Sequence, residues 1–191
     1  MIRVLFVDDH PSVRAGLHAV LKLEPGLVPV GEAVTAAEGV EAARALEPDV
    51  VVADYHLPDE DGLVMCTRLK AETPSPRVLI FSAYAGAGLA LPALVAGADG
   101  ILDKVSSGTN LFEAIRLVVR GQRIFPPITG EQRRNAARRL TSDEVPVFSM
   151  LLEGVPLDEI AATLGLDANE VDARVHSILG RLSARMTIAR V

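Results

Sequence analysis

A short apolar run that ends in a single acid is the feature that most constrains the fold of this 191-residue chain. Residues 50–53 read Val-Val-Val-Ala, and Asp54 follows them directly, with Pro58 and Gly62 close behind. A β-branched run this short, bounded by polar residues, predicts a strand that is buried on both faces of a parallel sheet. Ligands of open α/β sheets bind at the carboxyl ends of the strands. The sequence therefore predicts a functional site at Asp54.

Three further apolar runs of the same kind end in chemically useful side chains. They are residues 2–7 with Asp8 and Asp9, residues 77–81 with Ser82, and residues 100–102 followed by Lys104. Because the carboxyl ends of parallel strands share one edge of a sheet, three carboxylates, a hydroxyl and an ammonium are expected to converge there. Like charges at close range repel, so their clustering indicates a bound cation or a reaction.

The converging side chains suit the magnesium-assisted transfer of a phosphoryl group to a carboxylate. Mg²⁺ prefers hard oxygen ligands, which Asp8, Asp9 and Asp54 offer. Asp54 is the predicted nucleophile and would form an aspartyl phosphate. Ser82 can donate a hydrogen bond to one phosphoryl oxygen, and Lys104 can neutralise another. Acids that are merely solvated or cap helices would explain each residue singly, but they explain the full set poorly.

The order of these residues resembles that of response-regulator receiver domains. In that family DD follows the first strand, D the third, S or T the fourth and K the fifth, and residues 1–121 match all five positions. The resemblance implies that Asp54 accepts its phosphoryl group from a sensor histidine kinase. It also implies that the backbone carbonyl of His56 is a further Mg²⁺ ligand and that the His56 side chain overhangs the phosphate. A plain surface histidine is the alternative for that side chain.

Helical patterns between the apolar runs complete an alternation of strands and helices. His10 with Pro11 is expected to begin the first helix, a capping box of Thr35 with Glu38 begins the second, and Thr109 or Asn110 caps the fifth. The alternation predicts an α/β fold, a doubly wound five-stranded parallel sheet of the flavodoxin type. Residues 86–96 are rich in Gly, Ala and Leu and predict a weak fourth helix.

The remaining residues are predicted to form a basic linker, 122–140, and a smaller all-α domain, 141–191. The linker carries five arginines against one glutamate, and residues 131–139 are expected to be helical. Thr141 with Glu144 predicts a capping box, and Asp167 is expected to cap the helix over 168–182. A helix, a glycine-containing turn and a helix form the helix-turn-helix pattern. This segment resembles the LuxR-type output domain of the NarL/FixJ regulators, with a last short helix over 183–191.

Two departures from the family bear on mechanism. Ile101 stands where receivers usually carry an aromatic switch residue. The helix over 168–182, which would be the DNA-reading helix of the motif, carries Glu170 and Asp172 near its start. Residues 141–191 hold eight acids and four bases, a formal charge of −4, which disfavours approach to phosphates. Arg174, His176 and Arg181 remain as candidate DNA contacts, and the two carboxylates could accept from cytosine.

Composition narrows the class of protein further. The net charge of −6 argues against a generally basic nucleic-acid coat. The single cysteine, Cys66, is expected to be a buried core thiol, and the four scattered histidines predict no transition-metal site. No signal peptide precedes the first strand and no apolar run reaches the length of a membrane span, so a cytoplasmic protein with no membrane partner is expected.

The sequence as a whole predicts a two-component response regulator, not an enzyme. It would accept a phosphoryl group on Asp54, form a homodimer that depends on phosphorylation, and control transcription through its helix-turn-helix domain. The alternative is a phospho-switch whose acidic helical domain binds a protein partner, with weak or no DNA binding. An aspartyl-phosphate hydrolase is disfavoured because His56 stands where a second acid would be needed.

Overall fold

Five parallel strands form the sheet that was predicted. The structure is a computed structural model and describes residues 1–83, 85, 87–105 and 108–183. The strands are β1 (Ile2–Val7), β2 (Leu27–Ala33), β3 (Val50–Ala53), β4 (Arg77–Ser82) and β5 (Gly100–Asp103). Their order across the sheet is β2-β1-β3-β4-β5, and every pairing is parallel. β2 is added on one side of β1, and β3, β4 and β5 follow on the other side. This change in winding between β1 and β3 confirms the doubly wound α/β fold.

Five helices connect and cover these strands. They are α1 (Pro11–Leu21), α2 (Ala36–Leu46), α3 (Gly62–Lys70), α4 (Ala87–Val95) and α5 (Gly108–Val119). The predicted capping box of α2 forms in one direction: Thr35 accepts from the Glu38 amide, but the Glu38 carboxylate accepts from the Val34 amide, one residue before the cap. The predicted cap of α5 was wrong. The helix already includes Gly108, so Thr109 and Asn110 are its second and third residues.

Alternation along β1 divides the core into two layers. Val4 and Phe6 pack with α1 and α5 on one face of the sheet, whereas Leu5 and Val7 pack with α2, α3 and α4 on the other. All residues of β3 are buried, with at most 2% of any side chain exposed. Burying each large apolar side chain contributes roughly 1.5–3 kcal/mol. This central strand therefore holds the position of Asp54 at its end.

Four described helices follow the receiver-like part. They are α6 (Gly130–Ala137), α7 (Glu144–Glu153), α8 (Leu157–Leu164) and α9 (Ala168–Ser183). Gly154 and Gly165 end α7 and α8 in the left-handed conformation, as glycine permits. The predicted Asp167 cap is confirmed, because Asp167 and Glu170 exchange two hydrogen bonds of 2.8 Å. The predicted last helix over 183–191 lies outside the described residues.

Two predictions about the starts of these helices needed correction. The Thr141 capping box forms in one direction only: the Thr141 amide donates to Glu144 at 2.8 Å, while its hydroxyl donates to Asp143. The Thr141 hydroxyl does not bond the Glu144 amide because it is oriented toward the Asp143 carboxylate. In the basic segment the helix begins at Gly130, with a capping box between Thr129 and Gln132.

Helix α4 is enclosed by the rest of the protein. It contacts β5 on one side and both α7 and α9 on the other. Leu89, Ala90 and Ala93 are completely buried, and one apolar cluster continues from α4 into Phe148, Val175 and the rest of α7 and α9. A helix that is apolar all round must be buried on all sides. Its composition, which predicted a weak helix, therefore reflects packing between the sheet and the C-terminal helices.

The fold also shows the surroundings of the single cysteine and the character of the described helices. Cys66 is free and fully buried on α3, with its sulfur 3.3 Å from the Ala96 carbonyl oxygen. Burial raises the pKa of this thiol to about 12. Among the residues that the structure describes, no helix combines the length and the apolar character needed to cross a membrane.

A candidate phosphoryl-transfer site at the strand ends

The pairing of β1 with β3 places two acids side by side. Val7 is opposite Ala53 in the parallel register, and the Asp54 amide donates to the Val7 carbonyl at 2.8 Å. Asp8 and Asp54 are therefore the first residues beyond two neighbouring strands. Both are buried, with 3% and 5% of their surface exposed. Two carboxylates in this position are costly unless a cation compensates them.

Lys104 supplies that positive charge in this structure. Its Nζ lies 2.6 Å from Oδ2 of Asp8 and 2.6 Å from Oδ2 of Asp54. Burial alone would lower the pKa of Lys104, but the hydrogen bonds to Asp54 and Asp8 and their negative charges outweigh burial and raise it. The ammonium is thus held in its charged form between the two acids. The structure brings these three predicted residues together directly.

Ser82 and Asp9 complete the edge. The Lys104 amide donates to the Ser82 carbonyl at 3.0 Å, so the ends of β4 and β5 are locked beside each other. Ser82 is buried, with 1% exposed. Asp9 follows Asp8 on the same strand end, and its side chain is 38% exposed. The edge therefore offers one acid that faces solvent beside two that are buried.

The loop after Asp54 is shaped by a close approach of two backbone segments. The Gly62 amide donates to the Tyr55 carbonyl at 2.8 Å, and His56 bridges to Asp61 across the loop. A Cβ built on Gly62 would overlap the backbone carbonyl of Asp54. Only glycine fits here without shifting the backbone of Asp54. The ring of His56 packs edge-on against Tyr55, with centroids 4.5 Å apart.

His10 belongs to the site, and the sequence analysis missed it. It was expected to begin α1 as a cap, and it does stand at that position, but its side chain makes no capping hydrogen bond. Its Nδ1 instead lies 2.7 Å from Asp9, 3.1 Å from Asp8 and 3.8 Å from Asp54. The signal that could have found it was adjacency, because a histidine directly follows two acids at a strand end.

The donor set fits a divalent cation. One ligand atom from each of Asp8, Asp9, His10 and Asp54 can be chosen so that all lie within 4.8 Å of one another. Three of the four are carboxylates, the hard ligands that Mg²⁺ prefers. A bound Mg²⁺ would screen the negative charge of an incoming phosphoryl group. The arrangement suits nucleophilic attack by a carboxylate on phosphorus.

The candidate DNA contacts lie on α9, apart from this site, and several are engaged within the protein. Arg181 Nε lies 3.1 Å from Glu144, and Arg174 Nε lies 3.5 Å from Asp143. His176 Nδ1 lies 3.4 Å from Asp172 one turn earlier. The remaining candidate, Glu170, caps its own helix through Asp167.

Comparison with known proteins agrees with this geometry. The family model described as "Response regulator receiver domain" matches residues 4–116. The response regulator protein VraR of Staphylococcus aureus is 29% identical over 96% of this chain and 91% of its own length. A LuxR-family two-component response regulator from Aurantimonas is 33% identical, with a TM-score of 0.62, over 72% of this chain and 96% of that one.

The fold of both parts together is found in a more distant relative. RcsB of Salmonella enterica serovar Typhimurium, solved bound to a promoter with the phosphomimetic BeF₃⁻, is 22% identical, with a TM-score of 0.63, over 95% of this chain and 91% of that one. Another RcsB structure contains two dimers on two parallel DNAs. Together with the family match, this likeness confirms the predicted architecture. The chain therefore belongs to the response regulator receiver family and is a two-component response regulator.

Proposed function

We propose that Asp54 accepts a phosphoryl group from a sensor histidine kinase and that this controls transcription through the C-terminal helices. Mg²⁺ would be held by Asp8, Asp9, Asp54 and the backbone carbonyl of His56. The observation that carries the proposal is the pair of 2.6 Å contacts that Lys104 makes with Asp8 and Asp54. They combine a buried nucleophile, a metal-binding acid and a cation in one place.

The residues of the site have separable tasks in this proposal. Asp54 attacks phosphorus because β3 fixes its carboxylate at the open edge of the sheet. Lys104 already faces Asp54, so its ammonium can follow the charge from the carboxylate to a phosphoryl oxygen. Ser82 would donate its hydroxyl to another phosphoryl oxygen. Because Ser82 leads toward α4, this contact would shift the segment between them.

Three regions would divide the work. Residues 1–121 would form the phosphoacceptor domain, residues 122–140 the basic linker, and residues 141–191 the helix-turn-helix domain. The turn at Gly165 joins α8 to α9 as in that motif, and α9 would be the recognition helix. By analogy with RcsB, whose dimers bind DNA, the active form would be a homodimer on DNA. We propose in addition that formation of this dimer depends on phosphorylation.

DNA binding is expected to be weak for the form with α9 as it stands here. Among the candidate contacts, Arg181 is paired with the buried Glu144 and Arg174 lies 3.5 Å from the exposed Asp143, so each must leave a nearby acid to reach a phosphate. The others, Glu170, Asp172 and His176, add two carboxylates close to the groove. Each misplaced charge would weaken binding by on the order of one to a few kcal/mol.

Phosphorylation should depend on Asp54 itself. Asp54→Asn removes the nucleophile, so a small-molecule phosphodonor with Mg²⁺ should add one phosphoryl group to the wild type and none to the variant. Intact-mass spectrometry measures this directly. Asp59→Asn is the matched control, because Asp59 lies in the same loop but caps α2 through the Ala36 and Ala37 amides. Equal phosphorylation of wild type and Asp54→Asn would overturn the proposal.

The DNA-binding part is tested by reversing one charge. The Asp172 side chain is 63% exposed on α9. Asp172→Lys should therefore tighten binding to duplex DNA at low salt and increase the magnitude of the slope of log K against log salt concentration by about one. Glu41→Lys makes the same charge change on α2, far from α9, and should have little effect. If Asp172→Lys leaves affinity and slope unchanged, α9 does not face DNA, and a protein partner becomes the better hypothesis.

A further inference from the structure

We propose that His10 is a nitrogen ligand of the metal site and shifts its preference from Mg²⁺ toward first-row transition ions such as Mn²⁺. This inference rests on the proposed function, because it concerns the same site. The His10 imidazole beside Asp8, Asp9 and Asp54 changes which cation the site selects. The first helical residue, Pro11, and the cap position of His10 hold the ring at the strand ends.

The distances suit one shared ion. Ligands lie about 2.0–2.2 Å from a small divalent cation, so neighbouring ligand atoms are about 3 Å apart and opposite ones about 4 Å apart. The His10 Nδ1 distances to the three acids run from 2.7 to 3.8 Å. All four ligand atoms fall within 4.8 Å of one another. A single ion therefore fits among them with small side-chain movements.

The backbone positions His10 before any ion arrives. The His10 amide donates to Oδ1 of Asp8 at 2.8 Å, so the same residue fixes one acid and presents its ring to it. In the structure Nδ1 lies 2.7 Å from Asp9 and 3.1 Å from Asp8, so the ring nitrogen already stands beside the carboxylate oxygens that would hold the ion.

Charge explains why a neutral ligand is useful here. Asp8, Asp9 and Asp54 carry three negative charges, and Lys104 carries one positive charge, which leaves two to be balanced. A divalent cation balances them without a further acid. A neutral imidazole adds a ligand and no charge, and nitrogen binds Mn²⁺ and the later transition ions more strongly than it binds Mg²⁺.

This inference departs from the expectation that scattered histidines exclude a transition-metal site. That expectation compared histidines only with one another. Here one histidine joins three carboxylates that the fold brings together from two strand ends. The other histidine of this helix, His18, contacts Glu32 at 3.0 Å instead and has no place among the acids at the strand ends.

The test is Mn²⁺ binding by the full-length protein, followed by electron paramagnetic resonance. Wild type should show nitrogen modulation in electron spin echo spectra, and His10→Phe and His10→Gln should lose it. Their Mn²⁺ affinity should fall by about tenfold or more, a typical loss when one partner of a metal site is removed. Their Mg²⁺ affinity, measured by competition, should change much less. His18→Phe is the matched control and should behave as wild type.

The outcomes separate this inference from the proposed function. Nitrogen modulation that is absent from wild type or that survives in both His10 variants would overturn the role of His10. If Asp9→Asn still abolishes Mn²⁺ binding in that case, the carboxylate site of the proposed function stands. If wild type binds neither Mn²⁺ nor Mg²⁺, both proposals fail together.

Discussion

At the scale of single residues, the site is a balance of buried charges. Asp8 and Asp54 are buried, and both contact the ammonium of Lys104. Removing one partner from a buried ion pair is strongly destabilising, because it leaves a charge without compensation. The Lys104 ammonium and a bound metal ion are therefore both expected to stabilise the protein by compensating these carboxylates, and their contributions can be measured as stability.

Lys104→Met should destabilise the protein by about 3 kcal/mol without Mg²⁺, because two buried carboxylates then face each other. Added Mg²⁺ should recover more stability in this variant than in wild type, since the ion replaces the missing charge. Thermal unfolding with and without Mg²⁺ measures both effects. Lys22→Met, at an exposed lysine just after α1, is the control. An equal response to Mg²⁺ in Lys104→Met and wild type would contradict the idea that both cations compensate the same carboxylates.

Residue types predicted most of this site, and geometry supplied the rest. The acids, the serine and the lysine could be predicted, because each directly follows an apolar run or stands close behind it, and parallel strands end at one edge. His10 could not be assigned in the same way, because a residue before Pro11 suits a helix start equally well. Only the distances of Nδ1 to three carboxylates reveal its side chain's position.

At the scale of helices and strands, one buried acid ties α7 to α9. Glu144 accepts hydrogen bonds from Ser177 at 2.5 Å and from the Arg181 guanidinium at 3.1 Å. Burial would raise the pKa of Glu144, but the bonds from Ser177, Thr141 and Arg181 outweigh it and hold the pKa below its ordinary value. The charged form of Glu144 therefore stabilises the packing of α9 on α7.

This linkage predicts a loss of stability in acid. A lowered pKa means that the contribution of Glu144 is present above about pH 4.5 and is lost as the pH falls through its lower folded-state value. Glu144→Gln should cost about 1.5–3 kcal/mol at neutral pH and flatten the loss in acid. Denaturant unfolding across pH measures this. Glu153→Gln, exposed on the same helix, should change neither the stability at neutral pH nor its loss in acid. If Glu144→Gln loses as much stability in acid as wild type, Glu144 is not the group responsible.

Helix positions were predictable, but their partners were not. Periodicity and caps located α2, α8 and α9 closely, because those signals are local. The composition of α4 indicated a weak helix, yet this helix is buried between the sheet and the C-terminal helices. A sequence shows that a helix is apolar all round, but it does not show what covers its second face.

At the scale of the whole molecule, the end of β3 is joined to α9. Tyr55, directly after Asp54, is buried, and its side chain is hydrogen-bonded to Ser183 at the end of α9 and to Asp61. Burial and the charge of Asp61 raise the pKa of Tyr55 to about 12. Arg139 also donates to the Leu182 carbonyl, at 3.3 Å. In this arrangement α9 packs on α4, and we expect the two parts to separate when α9 enters a DNA groove.

Tyr55→Phe should favour separation, because it removes the hydroxyl that meets Ser183 of α9, together with the bond of that hydroxyl to Asp61. Loss of one hydrogen bond, about 0.5–1.5 kcal/mol, corresponds to roughly a two- to tenfold gain in the open population. Faster cleavage of the 122–140 segment by protease and tighter DNA binding without phosphate should both report it. Ser149→Ala, which removes a hydroxyl bonded within α7, is the control. No change in either measurement would exclude this link as a restraint.

The buried thiol of Cys66 makes that separation convenient to observe. Its sulfur is enclosed on α3, and its pKa of about 12 leaves almost no thiolate at neutral pH. A fluorophore attached to a cysteine introduced on the surface would therefore mark one chosen position in the otherwise natural chain. Distances between dyes on two such positions, one on α2 and one on α8, would then follow opening in single molecules as phosphate is added.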